Sequence, residues 1–156
     1  MSDKKIKIET SQVELKTRIV KVSDSAEIAR LSTELGHKIS SKEAQYNLKG
    51  ILKDPSQDII VIEHVGVRLL GFVYIFTMAE LYSGVQGRIW GLIVDQNAQG
   101  MGIGTRLVAE AEKLAKKKGC TSMKVNSNVM RTGAHKFYEK VGYVKYKEQA
   151  IFKKSL

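Results

Sequence analysis

Material for cross-links, metal centres and membrane spans is scarce in this chain. Cys120 is the single cysteine, which excludes a disulfide framework, and the three histidines show no ligand spacing such as His-Glu-x-x-His. The longest apolar stretch, residues 69–79, is interrupted by Gly71 and Thr77 and falls well short of the roughly 20 residues that a membrane-spanning helix requires. The start, Met-Ser-Asp-Lys-Lys, lacks the apolar core of a signal peptide, so the expectation is a cytoplasmic protein without disulfides. Pro55 is the one proline, placed in an Asp-Pro-Ser turn, and no Gly/Ser linker, Pro-rich segment or internal repeat divides the sequence.

What is present suffices for one core: 156 residues with 43% apolar content match a single domain and exclude a disordered tail. The expected organisation is an N-terminal extension over residues 1–15, frayed or an added edge strand, and a single domain over 16–156. Negative charge is short only in the last third. Residues 1–100 carry 13 Lys/Arg and 12 Asp/Glu, whereas residues 101–156 carry 13 and 4. That basic excess suits a polyanionic partner, a nucleic acid or a phosphorylated cofactor, and equally suits a solvated surface.

Periodicity divides the chain into elements. Residues 17–22 alternate as a strand, Ser23 and Asp24 offer an N-cap, and Ile28, Leu31 and Leu35 follow at helical spacing up to Gly36. Ser40 and Ser41 cap a second helix with Ala44, Leu48, Ile51 and Leu52 on one face. Strands over 58–64 and 69–78 flank a turn at Val65 and Gly66, a loop is expected over 82–86, and 88–94 is a strand bearing Trp90. A helix with Ile103, Leu107, Val108, Ala111, Leu114 and Ala115 in one stripe follows. A strand over 121–126, a helix over 132–141 and a last strand from Tyr143 complete the order β-α-α-β-β-β-α-β-α-β. The fold class is therefore mixed α/β, with a largely antiparallel central sheet, flanking helices and one βαβ crossover.

The strongest chemical signal is the strand residues Leu92, Ile93 and Val94 followed by Gln99, Gly100, Met101, Gly102, Ile103, Gly104 and Thr105 at the start of a helix. A glycine-rich strand-to-helix turn aims several main-chain N–H groups at one point, where the helix dipole also favours negative charge; a diphosphate fits there. Thr105 stands where the dinucleotide fingerprint requires glycine, and Thr105-Arg106 replaces the Lys-Ser/Thr of a Walker loop, so both familiar motifs fail. A tight connection without function is the alternative.

The wider pattern decides between these. The Gln-x-x-Gly-x-Gly turn after a Leu-Ile-Val strand, then Ser127, Asn128, Arg131, Ala134, His135, Phe137, Tyr138, Glu139, Lys140, Gly142 and Tyr143, resembles the GCN5-related N-acetyltransferase (GNAT) family. The element order resembles it over residues 17–156. Within the family, the segment from Ser127 to Tyr138 looks most like the bacterial small-molecule branch that includes aminoalkylphosphonate and aminoglycoside acetyltransferases. The resemblance implies an acetyl-CoA-dependent transfer of an acetyl group to a primary amine of a small molecule, directly within a ternary complex.

It further implies that main-chain groups of Leu92, Ile93 and Val94 hold the pantetheine and polarise the acetyl carbonyl, and that residues 99–105 receive the pyrophosphate. Tyr138 matches the family tyrosine that protonates the leaving thiolate, although Ala134, Phe137, Tyr138 and Val141 also fall at core spacing. Asn128 matches the asparagine that holds the pantetheine region, or caps the following helix. Many relatives carry a glutamate one residue before the Leu-Ile-Val run; Gly91 stands there, and Glu80, Tyr82, His64 or a water chain are the substitutes. Trp90, Tyr46 and Tyr74 are candidate acceptor-groove or core aromatics. Competing functions are a non-catalytic acyl-CoA-binding module, a protein or peptide N-acetyltransferase, and nucleic-acid binding, for which no aromatic motif is interleaved. No membrane or nucleic-acid partner is expected, and a homodimer is compatible with the chain.

Overall fold

The computed structural model describes residues 14–156, whose contacts fall into a unit ending at Asn126 and a second unit from Ser127 to Leu156. Most of the expected extension over residues 1–15 lies outside the described residues. Leu15 already belongs to a strand.

In the first unit, β1 (Leu15–Ile19), β2 (Gln57–His64), β3 (Arg68–Glu80), β4 (Gly84–Val94) and β5 (Ser122–Val125) form one sheet in sequential order. The first four pair antiparallel, and β5 lies parallel to β4. The expected crossover is α3 (Ile103–Lys117), since parallel neighbours cannot be joined by a hairpin. The expected loop over 82–86 shrinks to a turn, with β4 starting at Gly84. Gln86 looks like a loop residue but is buried, and its amide donates to the Ser83 carbonyl at 2.6 Å and to Thr121 Oγ1 at 3.1 Å. A satisfied amide can occupy a strand interior.

Helices α1 (Ser25–Glu34) and α2 (Ser41–Ile51) cover one face of the sheet. Ile28, Leu31, Ala44 and Leu48 pack there with Ile59, Val61, Leu69, Phe72 and Ile93. Each Val, Leu, Ile or Phe side chain fully buried in this way contributes about 1.5–3 kcal/mol. Ser40 and Glu43 form a capping box at α2, the Glu43 N–H donating to Ser40 Oγ at 3.2 Å and the Ser40 N–H to Glu43 Oε2 at 2.8 Å. Leu52, expected on the buried face, is exposed past the helix end. The first strand also differs, running Leu15–Ile19 rather than 17–22, and a single 3-10 turn occupies Val22–Asp24. The Asp24 carboxylate is drawn to Arg18 at 2.8 Å and to the Lys21 N–H at 2.7 Å instead of capping α1.

Ile103, Leu107, Val108, Ala111 and Ala115 of α3 are buried, while Leu114 is half-buried. A Cβ placed on Gly71 of β3 would sit 3.2 Å from Leu107 and 3.3 Å from Ile103, so glycine lets this helix lie close to the sheet.

The second unit contains α4 (Thr132–Lys140). The last strand expected from Tyr143 is absent among the described residues: that segment has no regular element, and Val144, Tyr146, Ile151 and Phe152 are exposed. Alternation specifies two faces, but a strand exists only where its backbone bonds a neighbouring strand, and this segment joins no ladder among the described residues.

Candidate active site

The ladder between β3 and β4 slips by one residue. Ile75 pairs with Ile89 and the next pair is Tyr74 with Gly91, which makes Trp90 an extra residue in β4. Pairing with β5 stops at the same level, its last pair being Ile89 with Val125. Residues 91–94 therefore bond to β3 along one edge, while the other edge of residues 90–94 has no ladder partner among the described residues. Leu92, Ile93 and Val94 lie on this stretch, so the outward main-chain N–H and C=O groups of an interior strand are open to an extended ligand.

Immediately after Val94 the chain makes a 3-10 turn (Gln96–Ala98) and then the glycine-rich bend. Gly100 and Gly102 have φ of +81° and +76°, and Gly102 is the N-cap of α3 without a side-chain cap. The first intrahelical bond runs from the Arg106 N–H to the Gly102 carbonyl at 3.0 Å, leaving the amides of Ile103, Gly104 and Thr105 ahead of it. Gln99, Gly100, Gly102 and Thr105 are exposed, and Met101 and Gly104 are half-buried. Ile103 is the exception: its side chain is core, so only its backbone is available.

A group of charges missed by the sequence reading anchors this bend. Asp95 is 1% exposed, accepts from Arg30 at 2.8 Å and from the Asn97 N–H at 2.9 Å, and forms an ion pair with Arg68 at 3.2 Å. Arg30 also donates to Glu27, to Glu34 and to the Leu69 carbonyl, each at 2.8 Å. Glu34 accepts the Gln96 N–H at 3.1 Å. The Arg30 hydrogen bond holds the Glu27 carboxyl below the usual carboxylate range against its partial burial. One signal was readable: an Asp directly after the strand, placed to accept from the N–H two residues on.

In the second unit, Tyr138 lies on α4 between the rings of Phe137 and Tyr143, at centroid distances of 5.3 and 5.8 Å. Burial pushes its phenol above the ordinary tyrosine value of 10.0, with Arg131 pulling the other way. Asn128 does not cap α4, whose N-cap is Arg131. Its side chain accepts the Met130 N–H at 2.9 Å and its carbonyl accepts the Arg131 N–H at 2.9 Å, shaping the turn before the helix. His135 bonds the Asn128 carbonyl at 3.0 Å.

The candidate bases separate clearly. Glu80 accepts from Lys124 and Arg88, each at 3.2 Å, and the Lys124 hydrogen bond leads in holding its carboxyl below the usual range. Tyr82 is fully exposed at the β3–β4 turn, and His64 lies at the end of β2, two strands from β4. A Cβ on Gly91 would meet nothing within 4 Å. Beside it, the Tyr74 and Phe76 rings lie 4.9 Å apart, and Phe76 and Trp90 5.4 Å apart. Tyr46 of α2 is exposed.

Solved structures with the same fold include an aminoglycoside N-acetyltransferase, AAC(6')-Iy, in complex with CoA, at TM-score 0.83 and 14% identity, covering 96% of this chain and 100% of that one. An acetyltransferase of Trypanosoma brucei gives 0.77 at 22% identity, covering 90% and 99%. Glucosamine-6-phosphate N-acetyltransferase from Arabidopsis thaliana gives 0.77 at 20%, covering 90% and 98%. No curated protein matches the sequence. No described helix is long and apolar enough to cross a membrane. The model of the acetyltransferase (GNAT) family matches residues 25–143, a span that takes in the open edge of β4, the bend into α3 and α4, and on that match the chain belongs to the GNAT family as an N-acetyltransferase.

Proposed function

We propose that this enzyme uses acetyl-CoA and acetylates a primary amine of a small molecule by direct transfer in a ternary complex. The observation that carries the reading is the open edge of β4 over residues 90–94, continuous with a bend whose amides precede the first bond of α3. An extended amide-bearing arm suits that edge, and a diphosphate suits the αL glycines and the helix N-terminus. Bound there, the coenzyme supplies an activated acetyl thioester.

The chain's residues have distinct tasks in this reading. Main-chain groups of Leu92, Ile93 and Val94 hold the arm, and an N–H on this stretch stabilises negative charge on the acetyl oxygen. Gln99, Gly100, Met101, Gly102, Ile103, Gly104 and Thr105 bind the diphosphate through backbone donors. Asn128 contributes to coenzyme binding, as its motif match implies, and Tyr138 gives a proton to the departing thiolate. A phenol raised by burial retains its proton at neutral pH, which that task requires.

Following free thiol with acetyl-CoA and a panel of small amines tests the proposal. Release with at least one small amine, and little with peptide N-termini, is the expected result. Thiol release with peptides alone would reassign the acceptor to a protein.

A further inference from the structure

We propose that the acceptor is a primary amine carried by a planar aromatic ring system, seated on the row Tyr74, Phe76 and Trp90 over the open position at Gly91. This deepens the reading above and rests on it. Tyr74 and Phe76 alternate along β3 and share one face, and the slip in the ladder adds Trp90 to the same row. Trp90 is 66% exposed although it belongs to an interior strand. Gly91, cross-strand from Tyr74, leaves open space where any other residue would place a side chain. The row thus has a wall of one tilted and one edge-to-face ring pair beside an empty step, a shape that takes a flat ring.

Charge narrows the class. Among the described residues, the carboxylates of Asp54 and Glu80 are both engaged. Tyr74 donates its hydroxyl to Gln57, whose amide donates to Asp54 at 2.6 Å, and Asp54 also accepts from the Ser56 N–H and hydroxyl at 2.9 and 2.7 Å. Glu80 is shared between Arg88 and Lys124. A polycationic amine finds neither Asp54 nor Glu80 free as a counter-charge among the described residues, whereas an aromatic amine gains ring contacts that need none. The same absence bears on the proton. Among the described residues neither Asp54 nor Glu80 stands free to take an ammonium proton, so the amine reaches the site as free base, and the N–H proton it loses as the amide forms replaces the one that Tyr138 gives to the thiolate. An amine conjugated to a ring is already unprotonated at neutral pH, and a benzylic amine supplies its free-base fraction, which grows as pH rises.

Trp90 is the one tryptophan, so the emission of the unmodified chain reports this row directly. The chain is titrated with aniline and benzylamine, and with cyclohexylmethylamine and glucosamine as amines without an aromatic ring. Thiol release from acetyl-CoA is followed with the same four. Saturable change in Trp90 emission with the aromatic pair only, and faster thiol release with that pair, is the expected result. In Phe76→Leu, which removes the middle ring of the row and lies outside the edge assigned to the coenzyme, aromatic binding should weaken about tenfold, as loss of a ring contact predicts, with acetyl-CoA binding retained. Turnover of glucosamine or cyclohexylmethylamine without preference for the aromatic pair overturns this inference and leaves acetyl transfer standing. Emission change with the aromatic pair but no thiol release from any amine overturns the transfer reading and leaves the aromatic site standing. No emission change with either aromatic amine overturns the inference regardless of turnover.

Discussion

Arg30 of α1 donates to Asp95 at 2.8 Å across 65 residues of sequence, joining the helical cover of the sheet to the bend that follows β4. Asp95 is buried and its two arginine partners are partly exposed. Asp95→Ala therefore removes the hub of a paired cluster but leaves cations that water can still reach. A loss of about 2–3 kcal/mol is expected, below that of a fully buried pair. Urea unfolding should show a lower midpoint at unchanged slope.

Gly102→Ala tests the bend. The φ of +76° costs an alanine about 1 kcal/mol or more, and no neighbouring atom lies within 4 Å of the added Cβ. The strain falls on the amides assigned to the diphosphate. The KM for acetyl-CoA should rise several-fold with kcat little changed, measured at saturating amine.

Gly71 and Gly91 make a matched pair. A Cβ on Gly71 would approach the Ile93 carbonyl to 2.6 Å, a backbone atom that cannot move without shifting β4. Gly71→Ala should destabilise by about 1–3 kcal/mol and weaken coenzyme binding together. Gly91→Ala meets nothing and should stay within about 0.5 kcal/mol of the parent. Thermal unfolding with and without acetyl-CoA separates the two.

Tyr138→Phe should lower kcat about a hundredfold, the scale of a lost general acid, with acetyl-CoA affinity nearly unchanged. Equal loss of both would make Tyr138 a binding or packing residue. The pH dependence has a definite sign. A proton donor works while protonated, so activity falls as pH rises through the phenol's pKa, which burial moves above 10.0. The limb due to Tyr138 should lie above that pH and disappear in the phenylalanine variant.

Local order was readable from residue spacing because it depends on neighbours in the chain. The capping box at Ser40, the apolar stripe of α3, the β2–β3 hairpin and the glycine bend each follow from residues a few positions apart, and the family followed from a motif of the same kind. Where spacing misled, a partner was at fault. The alternation from Tyr143 joins no ladder among the described residues, and Gln86 reads as loop until Thr121 is beside it. The extra residue at Trp90, the contact of Gly71 with Ile93 and the hold of Arg30 and Arg68 on Asp95 all depend on which strand or helix lies alongside which. Periodicity records that a face is buried; register, and the long-range pairing of charges, exist only once distant segments meet.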